Sequence, residues 1–583
     1  MNAIPHTEIA PTQAQFAVRN PATGETIGSL PSFTLDQVAV AAHRAGEAQK
    51  KWAATSVRER LKVLKRFGEL LCDQKDKVAA VISREAGKPE AEALATEIMV
   101  VLDTAKYLRE NVAEFLRPEA VPHGNPIMKL KKGVLLREPY GVVGIISPWN
   151  YPFSIPAVQS LAALATGNAV VIKPSEFTPY SSLEVGRLMR EAGLDPDLLQ
   201  VITGEGPTGA ALLNAPIQKI VFTGSVATGK RVAQAAAARL LPVVLELGGK
   251  DPMIVLEDAD LDVASSAAVW GAFMNAGQTC LSVERCYVQE KIYEDFLKRC
   301  VEKTNKLRIG SSSHPLRQEQ PGKDESMPAQ RVGHPLQGGG SPAQARVPVP
   351  QNHGKSSTAE AAVPQESRDS EIDVGPMIHE RQLATVQVHV DDAIARGARL
   401  LAGGKTLPEF GPTFFAPTIL ADVDHTMTIM REETFGPVLP VRSFKSDHDA
   451  VALANDSEFG LAASVFTKDR KRGEALARRI DAGTVMVNDM ISCFGISEAP
   501  HGGVKASGIG RTHGRFGLEE MVWPKYVDSD RMPGMKKPWW YGYGPAFANQ
   551  MGGFVDLLFA RKLTNRVRGA LKSTKSYLRR RLL

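Results

Sequence analysis

The stretch QKIVFTGSVATGKRVAQAAAARLLPVVLELGG (218–249) decides the fold of this 583-residue chain. Two short apolar runs, QKIVF and PVVLEL, flank an Ala-rich stretch with helical periodicity. A strand, a helix and a second strand in this order predict a βαβ unit with parallel strands. The polar turn FTGS follows the first strand, and ligands on such sheets bind beyond the carboxyl ends of the strands.

The same alternation continues on both sides of this unit. Strand-like runs occur at GVVGIIS (141–147), AVVIKPS (169–175) and LLQVITG (198–204), with helical stretches between them. A second α/β stretch runs from about 250 to 310 and resumes near 371. We therefore predict an α/β fold with parallel sheets and helical crossovers.

The composition is that of a globular protein with a basic end. Hydrophobic residues make up 43% of the chain, and its five cysteines include no CxxC pair, which argues against disulfide and zinc scaffolds. We find no signal peptide and no apolar run of membrane-spanning length, which favours the cytoplasm. Residues 531–583 hold twelve Lys/Arg and one acid, so they account for the net charge of +6. Because the rest is slightly acidic, nucleic acid is not an expected partner.

Residues 311–370 differ from their surroundings. They contain eight Pro, six Gly and no aromatic side chain. Such a stretch buries too little apolar surface to offset the entropy that the chain loses on folding. We predict a disordered insertion within the second α/β stretch, with a long ordered surface loop as the alternative.

Three residues are candidates for the chemistry. Cys280 in GQTC has small and polar neighbours, so both a nucleophile and a buried structural thiol stay open for it. Glu246 follows an apolar strand, where partial desolvation suits a carboxylate to act as a general base, while a helix cap or surface ion pair is the alternative. Asn150 in SPWNYPF can donate its amide to an oxyanion, or it can be a turn residue.

Polar side chains and glycines follow several strands and are candidates for cofactor binding. Gly224, Ser225 and Gly229 open a helix after a strand, and a helix N-terminus is an anion site. The motif GxxxxGK[ST] is absent from the chain, so this signal is weak by itself. In KPSE, Lys173 and Glu176 are placed to bind ribose hydroxyls.

A further pair of candidates lies in EETFGPV, where Glu433 and Phe435 place a polar beside an aromatic side chain. Taken together, the motifs resemble the aldehyde dehydrogenase superfamily. SPWNYPF, GNAVVIKPSE, FTGS, LELGGKDP, GQTC, EETFGPV and HGGVKASGIGR occur in that family's order and approximate spacing, over residues 15–310 and 371–527. The resemblance implies a hydrolytic, NAD(P)-dependent enzyme that oxidises an aldehyde to its acid.

The resemblance also implies a role for each candidate residue. Cys280 matches the nucleophile that forms a thiohemiacetal and then a thioacyl intermediate, Glu246 the base that activates water, and Asn150 an oxyanion donor. The residues expected to line the cofactor site are Trp149, Lys173, Glu176, Gly224, Ser225, Gly229, Glu433 and Phe435. A carboxylate at 176 repels a 2′-phosphate, so we expect NAD, with NADP as the alternative. No metal is expected.

The resemblance divides the chain into a Rossmann-like NAD-binding domain, an α/β catalytic domain and a small β arm for oligomerisation. The boundaries are 1–116 and 139–247 for NAD binding, 248–310 and 371–511 for catalysis, 117–138 and 512–527 for the arm, 311–370 for the insertion and 531–583 for the tail. An arm of this kind implies a homodimer or homotetramer. One departure from the family is His501, where many members have Phe.

The tail at 531–583 has aromatic residues followed by leucines at near-helical spacing, with Lys and Arg between them. A basic amphipathic helix of this kind suits an anionic membrane surface, which predicts peripheral membrane association. Docking on a neighbouring subunit and a solvated tail are the alternatives. A membrane contact favours apolar, long-chain or aromatic aldehydes as substrates.

Two other functions stay open. A semialdehyde-specific enzyme, for example one acting on succinate semialdehyde, needs a cation in the substrate channel, and the sequence does not place one. Arg285 follows Cys280 closely, but a structural role is the alternative. A membrane-associated member of the fold without turnover is the second option, and the intact set of Cys280, Glu246 and Asn150 argues against it.

Overall fold

The computed structural model describes residues 14–311, 372–537 and 539–579. Apart from Ser311, the predicted insertion at 311–370 lies outside the described residues, so its disorder stays a prediction. The chain divides into two compact units. The first comprises the residues up to Phe115 with Pro139–Val522, and the second comprises Leu116–Glu138 with the residues after Val522.

The first part of the chain is a β-hairpin followed by a layer of helices. Its elements are β1 (Gln15–Arg19), β2 (Thr26–Pro31), α1 (Leu35–Ala53), α2 (Val57–Asp73), α3 (Lys75–Ala86), α4 (Glu90–Ala93), α5 (Met99–Phe115), β3 (Glu119–Val121) and β4 (Lys131–Pro139). Thr34 and Ser56 form capping boxes that begin α1 and α2. Gly87, with φ of 74°, ends α3 in the left-handed conformation that glycine adopts most easily.

A parallel sheet forms the centre of the first unit. Its elements are β5 (Val142–Ile146), α6 (Ser154–Ala165), β6 (Ala169–Lys173), α7 (Pro179–Glu191), β7 (Leu199–Val201), α8 (Gly206–Asn214), β8 (Lys219–Thr223), α9 (Val226–Ala237) and β9 (Val243–Glu246). The strand order is β9-β8-β5-β6-β7, and all four pairs are parallel. The chain therefore reverses its direction of travel across the sheet between β5 and β8, which is where such sheets bind ligands.

A second sheet of the first unit has seven strands. The elements of this part of the chain are β10 (Asp251–Val255), α10 (Leu261–Phe273), β11 (Val283–Gln289), α11 (Tyr293–Thr304), α12 (Glu380–Ala395), β12 (Arg399–Ala402), β13 (Thr418–Ala421), β14 (Val438–Phe444), α13 (Asp447–Asn455), β15 (Ala462–Phe466), α14 (Arg470–Ala477), β16 (Thr484–Val487), β17 (Gly508–Ile509) and α15 (Gly514–Glu519), of which β17 is not part of this sheet. The order is β12-β13-β14-β11-β10-β15-β16, and only the edge strand β12 is antiparallel to its neighbour. The predicted α/β fold with parallel sheets is confirmed.

Two connections close the first unit. Ile309 forms a parallel bridge with Val374, and Arg308 pairs with Asp373 at 3.0 Å. The segments before and after the insertion are therefore held together by residues that do not belong to it. After the second sheet the chain returns to the first, where β17 pairs antiparallel with β9.

The second unit contains a three-stranded sheet in the order β18-β4-β3, where β18 spans Val522–Asp530. The tail, which we predicted as one amphipathic helix, forms two packed helices, α16 (Pro545–Phe559) and α17 (Leu563–Leu578). Gly553 and Gly569 bring the helices so close that an added Cβ would lie 2.6 Å from backbone atoms of the other helix. Among the described residues, no helix is long and apolar enough to cross a membrane.

Candidate active site

A cavity of about 880 Å³ lies at the carboxyl ends of β5, β6, β8 and β9. This is the position expected for a ligand at the reversal point of a parallel sheet. The cavity is lined by almost every candidate from the sequence, namely Trp149, Asn150, Lys173, Glu176, Gly224, Ser225, Glu246, Cys280, Glu433 and Phe435. Residues from both sheets therefore meet in one space.

Gly229 is the candidate that does not line the cavity. It lies in the first turn of α9, where an added Cβ would be 2.4 Å from a methyl carbon of Leu247. The glycine thus lets α9 pack closely against the segment that follows Glu246. Its place in the structure indicates a packing role beside the site.

Cys280 lies in a loop between α10 and β11. After Met274 the loop has three consecutive residues at positive φ, Asn275 and Ala276 at 53° and Gly277 at 69°. At Gly277 an added Cβ would lie 2.1 Å from the carbonyl oxygen of Gly436, so only glycine fits there. Burial, and then the negative charge of Glu246, raises the pKa of the Cys280 thiol well above its ordinary value. The resting side chain is a neutral thiol.

Asn150 is buried and its orientation is fixed by hydrogen bonds. Its side-chain nitrogen donates to the carbonyl oxygen of Gln278 at 3.0 Å, which leaves its other N–H for an oxyanion. The backbone carbonyl oxygen of Asn150 accepts from Lys88 Nζ at 3.0 Å and from Asn275 Nδ2 at 3.1 Å. The backbone at Asn150 is therefore held by Lys88 and by the cysteine loop, and its side-chain amide is held by the cysteine loop.

Lys88 and Glu97 support this arrangement, and the sequence did not identify either. They form a buried ion pair at 2.7 Å. The second oxygen of Glu97 accepts from the backbone N–H groups of Phe153 and Ser154 at 3.0 and 2.8 Å, which caps α6. Both residues lie among many charged side chains in a helical stretch, so no local signal marks them.

Glu246 is the last residue of β9 and is buried. Its Oε1 accepts from the hydroxyl group of Thr512 at 2.5 Å. Gly508 of β17 lies opposite Glu246 in the antiparallel pair, and this pairing brings the segment after β17 to the carboxylate. Thr512 was not among the candidates because it is 266 residues away in the chain.

One side of the cavity carries the residues after β6 and β8. Lys173 Nζ lies 3.3 Å from a carboxylate oxygen of Glu176, whose side chain is 34% exposed. Burial lowers the pKa of Lys173, while the charge of Glu176 opposes this change. Ser225 caps α9 by accepting from the N–H of Thr228, so the N-terminus of a twelve-residue helix opens on the cavity.

The other side is built around Glu433. Burial and the nearby charge of Glu284 raise the pKa of Glu433 to about 8. The backbone N–H groups of Thr434 and Phe435 each donate to Glu284 at 2.8 Å, and Glu284 pairs with buried Lys250. This pair fixes the turn that presents Glu433 and Phe435.

Aromatic rings complete the lining. Phe435 meets the ring of Trp149 edge to face, with 5.4 Å between the ring centroids. His379, another residue that the sequence did not identify, lies 6.1 Å from the Trp149 ring and begins α12. The rings offer flat apolar surfaces for a planar ligand.

The residues present fit a dinucleotide. Carboxylates that can accept hydrogen bonds from ribose hydroxyls lie on both sides of the cavity, and the N-terminus of α9 can hold a phosphate. The volume of the cavity is in the range of cofactor sites. At Gly248 an added Cβ would lie 2.5 Å from Glu433 Oε2, so the lack of a side chain keeps this carboxylate accessible.

The match to a family model follows the same segments. The model of the aldehyde dehydrogenase family matches residues 9–322 and 355–527. The chain belongs to the aldehyde dehydrogenase family. This dehydrogenase is an NAD(P)-dependent oxidoreductase that acts on aldehydes.

Two curated relatives are similar over most of the dehydrogenase. A 4,4′-diapolycopene aldehyde oxidase from Methylomonas sp is 37% identical, covering 93% of this chain and 91% of that protein. A putative NADP⁺-dependent succinate-semialdehyde dehydrogenase from Mycolicibacterium smegmatis is 35% identical, covering 88% of this chain and 89% of that protein.

Solved structures share the fold. An NAD-dependent aldehyde dehydrogenase from Sinorhizobium meliloti has a TM-score of 0.77 at 34% identity, covering 91% of this chain and 93% of that one. An NAD⁺ complex of an aldehyde dehydrogenase from Bacillus cereus has a TM-score of 0.76 at 30% identity, covering 89% and 93%.

Arg285 serves the fold of the dehydrogenase. Its buried guanidinium donates to the carbonyl oxygens of Lys250, Leu453 and Ala454 at 2.7, 3.0 and 2.9 Å. These bonds connect β11 to α13. The side chain is thereby committed within the protein, which argues against its binding a carboxylate of a substrate.

Proposed function

We propose that this aldehyde dehydrogenase oxidises an apolar aldehyde with NAD, using Cys280 as nucleophile and Glu246 as base. The observation that carries the proposal is the meeting of Cys280, Asn150 and Glu246 in one cavity. A thiol, an amide donor and a carboxylate are the groups needed to attack a carbonyl, hold its oxyanion and activate water.

In the first step Cys280 Sγ attacks the aldehyde carbon. Because the thiol is neutral at rest, its proton must leave as the bond forms, and it is released to water. The carbonyl oxygen becomes an oxyanion. It accepts hydrogen bonds from the remaining side-chain N–H of Asn150 and from the backbone N–H of Cys280.

Oxidation and hydrolysis follow. When bound, NAD supplies the acceptor for the hydride that the thiohemiacetal carbon loses. Glu246 then takes a proton from a water molecule, whose oxygen attacks the thioacyl carbon. The carbon–sulfur bond breaks, and Cys280 recovers a proton as the acid leaves.

The cofactor would be held at three places. Lys173 and Glu176 would bind one ribose, and the N-terminus of α9 with Gly224 and Ser225 would hold the pyrophosphate. Glu433 would bind the other ribose. Phe435 and Trp149 would pack near the nicotinamide. The negative charge of Glu176 favours the hydroxyl of NAD over the phosphate of NADP.

The tail supports membrane contact and an apolar substrate. Along α17, Leu563, Val567, Leu571 and Leu578 form one stripe and are 53–78% exposed. At about 100° per residue, Arg568 and Lys575 lie beside this stripe. An exposed apolar stripe bordered by cations fits an anionic membrane surface, where long-chain aldehydes collect. The name of the Methylomonas relative, which refers to an aldehyde of 4,4′-diapolycopene, agrees with such a substrate.

A semialdehyde remains the second candidate, because the mycobacterial relative carries that name. A distal carboxylate needs a cation, and the hydrogen bonds of Arg285 within the protein argue against that residue. We further propose that β18, an edge strand with exposed Tyr526 and Val527, pairs with a second copy of the chain. Sedimentation of a Val527→Lys variant as a smaller species would support this pairing.

The experiment that tests the function follows NADH absorbance with purified protein, NAD and a panel of aldehydes. The panel contains long-chain apolar aldehydes, aromatic aldehydes and succinate semialdehyde. We expect turnover with the apolar members, and none with Cys280→Ala. The exposed thiol of Cys72 provides the matched control, so Cys72→Ala should keep full activity. Turnover confined to succinate semialdehyde would contradict the substrate proposal.

A further inference from the structure

The segment that contains His501, Thr512 and His513 brings two imidazole side chains close to Glu246, the candidate base. His501 and Thr512 exchange both backbone hydrogen bonds, each at 2.8 Å. This pairing holds the Thr512 side chain against Glu246 and places His513 next to it. The ring of His501 lies 5.8 Å from that of His513, between centroids.

The direction of the two hydrogen bonds made by the Thr512 hydroxyl group follows from the protons that each group carries. The hydroxyl group of Thr512 has one proton, and the carboxylate of Glu246 can only accept, so the 2.5 Å bond is donated by Thr512. The 3.1 Å contact between Thr512 Oγ1 and His513 Nδ1 is then donated by the imidazole. His513 therefore carries its proton on Nδ1.

His513 is neutral in this position. Burial, together with the neighbouring His501, lowers the pKa of His513 to about 3. Its Nε2 is buried and has no hydrogen-bond partner among the described residues, as expected for a lone pair in apolar surroundings. Phe494 packs against both imidazoles, with ring centroids 5.1 and 4.9 Å away.

The titratable groups around Glu246 come from several segments. His501 lies on the same segment as Thr512, and Cys280 lies on the loop before β11. Arg511 donates to the carbonyl oxygens of Gly503 and Gly510 within its own segment. Among the described residues, the donor to the side chain of Glu246 is Thr512, which occupies Oε1.

We propose that Thr512 and His513 are positioning residues for hydrolysis of the thioacyl intermediate. The chain of donors from His513 Nδ1 through Thr512 Oγ1 holds Glu246 Oε1, so that Oε2 faces the attacking water. This inference rests on the proposed role of Glu246 as base.

The step balances without moving the protons of the positioning residues. Water gives one proton to Glu246 Oε2, and its remaining hydroxyl group bonds to the thioacyl carbon. The carbon–sulfur bond breaks, and the electron pair goes to the Cys280 sulfur, which recovers the proton from Glu246. The protons on Thr512 and His513 stay in place and keep the carboxylate oriented through both transfers.

Thr512→Val and Thr512→Ser form the first test pair. Valine keeps the shape and removes the donor, whereas serine keeps the donor. Stopped-flow absorbance measures the burst of NADH, and steady-state rates measure release of the acid. We expect Thr512→Val to keep the burst rate and to slow release about tenfold. Its kcat and KM should fall together with kcat/KM unchanged, and Thr512→Ser should behave like the wild type.

His513→Asn and His513→Leu form the second pair. Asparagine places an N–H at the same distance from the backbone as Nδ1, and both variants keep a Cβ at a position with φ of 62° and ψ of 160°, so the backbone strain is the same in the pair. We expect release to stay near the wild-type rate in His513→Asn and to slow in His513→Leu. The acidic limb of the release rate should move to higher pH in Thr512→Val, because the lost donor stabilised the charged carboxylate.

Glu246→Gln separates the two proposals. If Glu246→Gln slows release but Thr512→Val does not, the positioning role of Thr512 is overturned and the role of Glu246 as base is retained. If Glu246→Gln releases the acid at the wild-type rate, both are overturned. Equal losses in Thr512→Val and Thr512→Ser, with a slower burst, would show a merely structural role. Hydroxylamine, which cleaves a thioester without a base, should restore turnover to Thr512→Val if the inference is correct.

Discussion

The ammonium group of Lys88 lies 2.7 Å from a carboxylate oxygen of Glu97, and neither side chain is exposed to solvent. Removing one partner of a buried pair leaves an uncompensated charge. We expect Lys88→Met to lower the free energy of unfolding by about 3–5 kcal/mol in urea titrations. The control is Lys65→Met in the exposed pair with Glu69, which should cost less than about 1 kcal/mol. Equal effects in the two variants would contradict the stabilising role of the buried pair.

The reactivity of Cys280 should depend on Glu246. The charge of the carboxylate contributes to the raised pKa of the thiol, so neutralising it lowers that pKa and increases the thiolate fraction. We expect Glu246→Gln to speed alkylation of Cys280 by iodoacetamide severalfold at pH 8, read by mass spectrometry. Glu110→Gln, at an exposed position of α5, should leave the rate unchanged. Slower alkylation in Glu246→Gln would contradict the electrostatic coupling.

Glu433 should make the stability of the protein without cofactor depend on pH. Its pKa in the fold is about 8, against an ordinary value of 4.5, so its neutral form favours folding. That contribution is fully present below pH 4.5 and is lost as the pH rises through 8. We therefore expect Glu433→Gln to match the wild type near pH 4.5 and to become more stable by a few kcal/mol at pH 8 to 9. Thermal unfolding across this range checks it, and a constant difference would contradict the assignment.

Cofactor choice should respond to Glu176. Its carboxylate repels a 2′-phosphate, and substitution with glutamine removes the charge while keeping an acceptor. We expect the ratio of kcat/KM for NADP to that for NAD to rise about tenfold or more in Glu176→Gln, since 1.4 kcal/mol is a factor of ten. An unchanged ratio would show that residues other than Glu176 determine the choice between NAD and NADP.

Membrane contact should require both the apolar stripe and the cations of α17. We expect Leu571→Asn with Leu578→Asn to weaken co-sedimentation with vesicles of phosphatidylserine and phosphatidylcholine at least tenfold, because each leucine contributes about 1.5–3 kcal/mol on burial. Arg568→Gln with Lys575→Gln should weaken binding to these vesicles and leave any binding to pure phosphatidylcholine unchanged. Unaltered co-sedimentation after deletion of 531–583 would contradict the membrane proposal.

The sequence was sufficient for the parts of the site that are local. Strands such as β5 and β8 are continuous apolar runs followed directly by polar motifs, so Asn150 and the α9 N-terminus could be located from the pattern alone. Cys280 and Glu246 were recognisable because each lies in a short, specific motif. The boundaries of the predicted domains and arm stay a prediction.

The partners of these residues could not be predicted. Lys88 and Thr512 reach Asn150 and Glu246 from 62 and 266 residues away, and nothing in a helical or loop pattern encodes such a contact. The break between α16 and α17 in the tail could not be predicted either, because residues 560–562 contain neither Gly nor Pro. The two helices separate there because Gly553 and Gly569 allow close packing, which depends on a neighbour that the local sequence does not contain.

The antiparallel return of β17 to β9 has a consequence for synthesis on the ribosome. Glu246 emerges more than 250 residues before Gly508 and Thr512, the residues that later pair with its strand and hold its carboxylate. Until then the edge of β9 is open, and the carboxylate of Glu246 lacks the hydrogen bond from Thr512. The candidate site is therefore completed only after Thr512 has left the ribosome, and chains that stop before residue 508 should expose a strand edge that chaperones can bind.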